Sequence, residues 1–129
     1  MLELGQVILG VRDLDAATRR MEAPGFAVLD GGVHPGLGTA NRIIPLGRQY
    51  LELLGVVDRA LAEAQWYGQA LLARIVDGDR LVRWSLRTDQ IEMVAGARGL
   101  VPERRRRIRP DGRPLCWHAA GLREAGAVS

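Results

Sequence analysis

Residues 34–57 read His34-Pro35-Gly36-Leu37-Gly38-Thr39-Ala40-Asn41, then Arg42-Ile43-Ile44-Pro45-Leu46-Gly47-Arg48, then Gln49-Tyr50-Leu51-Glu52-Leu53-Leu54-Gly55-Val56-Val57. The first group is too rich in Gly and Pro for a regular element and reads as a shaped loop. The second predicts a strand over 42–46 that stops at Pro45-Leu46-Gly47. The third predicts a strong strand over 49–57 entered by a tight turn. Within that strand Glu52 stands between Tyr50-Leu51 and Leu53-Leu54. A carboxylate buried there is costly unless it is paired, hydrogen-bonded or protonated.

Upstream, residues 6–11 alternate, with Val7, Leu9 and Val11 on one face and Gln6, Ile8 and Gly10 on the other. Asp13 is placed to cap a helix whose stripe is Leu14, Ala17 and Met21, and Pro24-Gly25 ends it. Phe26 to Leu29 reads as a short strand broken by Gly31-Gly32. The order through residue 57 is therefore β-α-β-β-β.

Downstream, Asp58 caps a helical stretch carrying Leu61, Ala64, Leu71, Leu72 and Ile75, which Gly68 divides into two short helices. Trp66 and Tyr67 in it read as packing residues. Residues 82–88 alternate as a strand and 89–97 form a short helix. Residues 104–109 and 115–120 then make a hairpin around Pro110-Asp111-Gly112-Arg113. A shift of 77 positions lays Leu9 on Leu86, Leu14 on Ile91, Asp15 on Glu92 and Ala17 on Val94. The second unit thus repeats the first, but its tail, residues 121–129, is too small and weakly apolar to supply the last strand. Such a unit leaves an open sheet edge, which calls for a partner chain.

With 129 residues, 47% hydrophobic and 26% charged, the chain has the balance of an ordinary globular domain. We expect one domain over 1–129, made of a first module (1–57), a helical linker (58–79) and an incomplete second module (80–129). The lone Cys116 forms no internal bridge and reads as a small core residue. No apolar run suits a membrane span and no basic-then-apolar leader opens the chain, so a cytoplasmic protein without membrane contact is expected. All 18 basic residues are arginine; residues 1–79 hold seven against ten acids, and residues 80–129 hold eleven against five. Such asymmetry fits an anion site or a solvated face. Arg104-Arg105-Arg106-Arg107 lies on a strand, where alternation splits the run between two faces with no aromatic interleaved, so no nucleic-acid partner is expected.

The segments Gln6-Val7-Ile8-Leu9-Gly10-Val11-Arg12-Asp13-Leu14-Asp15, His34–Asn41, Tyr50-Leu51-Glu52-Leu53 and Trp84-Ser85-Leu86-Arg87-Thr88-Asp89 together resemble the bacterial glyoxalase-like domains of the vicinal oxygen chelate superfamily. That superfamily includes glyoxalase I, extradiol dioxygenases and bleomycin-resistance proteins. The resemblance implies an α+β fold in which two βαβββ-type modules, the second lacking its last strand, curve a mixed sheet around a cavity. It implies one divalent metal (Zn, Ni, Mn or Fe) held early in each first strand and late in each fourth strand. In the first unit those positions are Gln6 and Glu52, an amide standing where His is usual. In the second unit the early position falls on Arg83 or Val82, neither a ligand. At most two conventional ligands remain, fewer than the three protein ligands of a catalytic site.

Glu52 is the expected catalytic residue, as a general base beside a carbonyl or as a metal ligand; the competing reading pairs it with Arg42 on the neighbouring strand. Gln6 and Glu52 are the metal candidates. Substrate contacts are expected from Arg83, whose fork suits an anionic group, from His34 and Asn41 of the small-residue loop, and from His118. Alternation puts only one of Trp117 and His118 on the cavity side. Two functions stay open: an isomerase, lyase or dioxygenase-type enzyme acting on a small carbonyl or vicinal-oxygen compound, and a metal-free binding protein that sequesters a small molecule. Either is expected to work as a homodimer.

Overall fold

The computed structural model describes residues 2–122. The elements run β1 (Glu3–Gly10), α1 (Leu14–Glu22), β2 (Leu29–His34), β3 (Thr39–Leu46), β4 (Gln49–Val56), α2 (Arg59–Glu63), α3 (Trp66–Arg74), β5 (Arg80–Arg87), α4 (Ile91–Gly96), β6 (Glu103–Ile108) and β7 (Pro114–Ala119). The fold is α+β. The seven strands among the described residues form one curled mixed sheet in the order β5-β1-β4-β3-β2-β6-β7, with β1 parallel to β4 and every other pairing antiparallel. The repeat is exact where it begins: β1 and β5, and the starts of α1 and α4, are offset by 77 residues. A fourth strand of the second unit, and the expectation that the tail forms none, fall outside the described residues. No helix among them is long and apolar enough to cross a membrane.

Strand alternation sorts the core into two layers. On one face Leu9, Val11, Ile44, Leu51 and Leu53 pack under α1, which presents Leu14, Ala17 and Met21. On the other, Ile8, Leu54 and Val82 pack against Tyr67, Leu71 and Ile75 of α3 and the residue following it. Asp13 caps α1 by accepting from the Ala16 N–H at 3.0 Å, and Asp58 caps α2 by accepting from the Leu61 N–H at 3.1 Å. The linker helix therefore fills one end of the sheet's concave side, so that side is less hollow than two open half-shells would leave it.

Gly68 is required by packing as well as tolerated in the helix. A Cβ there would lie 2.3 Å from the Ala62 carbonyl oxygen and 2.4 Å from its Cα, so α2 and α3 touch only because that atom is missing. We expect Gly68→Ala to destabilise the protein by about 1–3 kcal/mol, the usual cost of overpacking, read as a lower urea midpoint at constant m. An unchanged midpoint would contradict the close approach.

Three sequence readings are corrected. The second strand does not end at Gly31-Gly32 but runs through them as β2. Cβ atoms would lie 2.0 Å from Asn41 Oδ1 at Gly31 and 2.0 Å from the Ile108 carbonyl oxygen at Gly32. These glycines admit neighbouring atoms at a bulged register, a use of Gly inside a sheet that composition alone reads as a break. Correspondingly, β3 starts at Thr39 and the loop shrinks to a turn before it. Cys116 is exposed, because β7 is an edge strand and nothing described covers that face.

Candidate functional site

The concave face gathers Gln6 from β1, His34 from β2, Thr39 and Asn41 from β3, and Tyr50 and Glu52 from β4, all on the faces that alternation assigns to them. Glu52 lies level with Ile8 on β1 and with Ile43 on β3, in the middle of the sheet, and is 5% exposed. Burial pushes its carboxyl up to about 7; the Asn41 amide and the charges of Arg107 and Arg83 pull in the opposite direction. The Gln6 amide donates to Glu52 Oε1 at 3.3 Å, and the Tyr50 hydroxyl donates to Gln6 Oε1. This relay orients the amide so that its N–H faces the carboxylate. Among the described side chains, the oxygen of Asn41 is buried with no hydrogen-bond partner.

Around Glu52 stands a cationic and aromatic wall. Arg83 of β5 places its guanidinium carbon 5.4 Å from the centre of the Tyr67 ring, and Arg105 of β6 places its own at 5.2 Å. Arg107, two residues along β6, faces the same side, and its charge acts on both Glu52 and His34. His34 is 6% exposed, its Nδ1 lies 2.9 Å from Thr39 Oγ1, and its ring meets Tyr67 edge-on at 6.2 Å. Burial first, then Arg105 and Arg107, hold its pKa down at about 4, so the ring is neutral at pH 7.

Of the residues singled out in the sequence, the fold brings together Gln6, His34, Asn41, Glu52 and Arg83. His118 stands apart: it is level with Arg104, exposed, on the opposite side from Arg105, while Trp117 takes the Arg105 side. The pairing of Glu52 with Arg42 does not occur. Arg42 points to the other face, donating to the Leu14 carbonyl at 3.2 Å, to Thr18 Oγ1 at 2.8 Å and to Asp15 at 2.8 Å. Sequence reasoning gave no site role to Tyr50, Thr39, Arg105 or Arg107, and read Tyr67 as packing. Strand alternation could have found Tyr50 from Glu52 and Thr39 from Asn41, whereas for Arg105 and Arg107 it gave two faces without saying which turns inward. Tyr67 had no such signal, because where a linker helix docks is a tertiary matter.

The described residues do not fit the divalent metal that the resemblance implies. Gln6 Oε1 is taken by the Tyr50 hydroxyl, leaving Glu52 as one anionic donor facing guanidinium groups that would repel a dication. Among the described residues no group of three His, Cys, Asp or Glu side chains could hold a metal ion.

The family model described as a glyoxalase-like domain matches residues 7–128. Among solved structures, a hypothetical protein from Staphylococcus aureus is similar with a TM-score of 0.74 and 19% identity, over 92% of this chain and 51% of that one. The chain thus spans about half the length of that protein. Methylmalonyl-CoA epimerase from Mycobacterium tuberculosis gives 0.60 and 14%, over 95% and 81% of the two chains. A variant of the Streptomyces coelicolor methylmalonyl-CoA epimerase in complex with 2-nitronate-propionyl-CoA gives 0.61 and 20%, over 91% and 84%. At these identities the likeness is one of fold. No curated protein matches the chain.

Proposed function

The chain belongs to the glyoxalase-like domain family, and from that premise we propose that it binds a small carbonyl compound and removes a proton from the carbon next to the carbonyl, with Glu52 as the base. The observation that carries this reading is a carboxylate buried in mid-sheet whose pKa burial raises to about 7, where a base is both available and strong enough to act. The amides of Gln6 and Asn41 both hydrogen-bond the carboxylate and hold it in place. The α-proton passes to Glu52, the C–H electron pair moves into the enolate, and a guanidinium such as Arg83 steadies the oxyanion. Return of the proton to the same or a neighbouring carbon completes an isomerisation.

The fold likeness to methylmalonyl-CoA epimerases supplies one probe. Methylmalonyl-CoA, oxaloacetate and pyruvate incubated with the protein in D2O should show protein-dependent loss of an α-proton signal by NMR for at least one. Exchange with none of them overturns the base role. Binding without exchange is what the second reading, a metal-free sequestering protein, expects.

In this reading the protein works as a homodimer. Among the described residues β5 and β7 are the sheet's two edges, and β5 exposes Leu81, Trp84 and Leu86, the tryptophan at 62%. Open edges bearing large apolar side chains favour association. Light scattering should give twice the 14.1 kDa chain mass, and Trp84→Arg should shift the population towards monomer. A wild-type mass of one chain at micromolar concentration would refute the dimer.

A further inference from the structure

Arg83, Arg105 and Arg107 of the concave face share the lack of an ion pair with other arginines, half-buried Arg74 among them, and what sets them apart is their convergence around Tyr67 and Glu52. Arg20, Arg42, Arg48, Arg59, Arg87 and Arg113 each pair with an Asp or Glu, mostly at the exposed surface. Arg83, Arg105 and Arg107 are half-buried, and among the described residues none has a carboxylate within salt-bridge distance. The Nε atoms of Arg83 and Arg107 are buried without a hydrogen-bond partner. A buried guanidinium nitrogen without an acceptor is costly, and three like charges turned to one face repel one another. The nearby carboxylate, Glu52, neutralises at most one of them. Burial, missing partners and mutual repulsion are all relieved together by an anion of charge two.

We infer that Arg83 of β5 with Arg105 and Arg107 of β6 forms a subsite for a dianionic ligand of the small dicarboxylate class. The forked guanidinium groups of Arg105 and Arg107 take one planar carboxylate. The Tyr67 ring, flanked by Arg83 and Arg105, forms a flat wall beside it. The second oxygen-bearing group then lies towards Arg83, with the carbon between the two groups nearest Glu52. This inference rests on the reading of the Glu52 face as the ligand site and narrows its substrate to compounds carrying two such groups.

Isothermal titration of the full chain with malonate, acetate, sulfate and neutral dimethyl malonate at pH 7.5 and low salt tests it. Malonate should bind on the order of tenfold more tightly than acetate, and dimethyl malonate should not bind. Arg105→Gln and Arg107→Gln should each weaken malonate on the order of tenfold, and Arg105→Lys by less, because the charge remains while the fork is lost. Arg104→Gln removes the same charge from the opposite face and should leave affinity within about twofold. Equal affinity for malonate and acetate, tighter binding of sulfate than malonate, or equal losses in the Arg104 and Arg105 variants would overturn the subsite. Malonate titrated into Glu52→Gln separates the two ideas. Binding kept while α-proton exchange is lost in every protein fails only the base; exchange kept while malonate selectivity is absent fails only the subsite.

Discussion

Glu52→Gln is expected to slow α-proton exchange by about 10²–10⁴-fold, the usual contribution of a positioned general base, while the protein stays folded. Gln is close to isosteric with Glu and can still meet the Gln6 amide through its oxygen, so the loss would report the missing base and not a collapsed site. In the wild type the rate should climb as pH rises through about 7 and then level off, because the ionised carboxylate is the active form and burial places its pKa there. An exchange rate in Glu52→Gln within a few-fold of wild type would end the assignment, whatever the ligand proves to be.

The second large effect is in stability against pH, and it arises from two buried groups of opposite sign. Burial raises Glu52 from 4.5 to about 7, so the folded chain binds more protons than the unfolded one between those values. Stability from this group is therefore present at low pH and lost as pH rises through that window, in all by roughly 3 kcal/mol. His34 is depressed from 6.5 to about 4, so here the unfolded chain binds more protons. Its contribution is present above about 6.5 and lost as pH falls towards 4, again by roughly 3 kcal/mol. Between about pH 4.5 and 6.5 the two slopes nearly cancel.

Each variant should therefore expose the other group. Glu52→Gln is expected to gain stability as pH rises from 4 to 6.5, and to exceed wild type above pH 7 because no carboxylate has to be desolvated. His34→Asn should lose stability as pH rises from 4.5 to 7. Urea midpoints at four or five pH values suffice to see either slope. Parallel profiles for wild type and both variants would mean that neither group is held as the structure places it.

How much of this was legible beforehand can be followed residue by residue. Glu52 drew attention because a charge sat inside an apolar strand, and the structure does bury it. Gln6 was placed on the same side by alternation alone, and the two meet at 3.3 Å. His118 could not be placed, since an isolated hairpin's faces are equivalent until one is packed. The residues level with Arg105 face the site, and those level with Arg104 do not. The Arg104–Arg107 run shows the same division: alternation split it correctly in two, but could not say which half would turn towards Tyr67 and Glu52. The reading of β2 failed for a different reason. Gly31 and Gly32 look like breakers until Asn41 and Ile108 arrive where their side chains would have been.

Periodicity and caps, which are local, determined on their own the order of strands and helices, the offset between the two units and the inward side of β1 and β4. Sheet order, the docking of α3 on the concave side and the convergence of Arg83, Arg105 and Arg107 on Tyr67 and Glu52 were decided only by tertiary structure. Those contacts join residues from β1 to β6, and their geometry depends on how far the sheet curls and which glycines let strands close up. No local pattern encodes such distances; they follow from the way two layers of side chains fill the space on either side of one sheet.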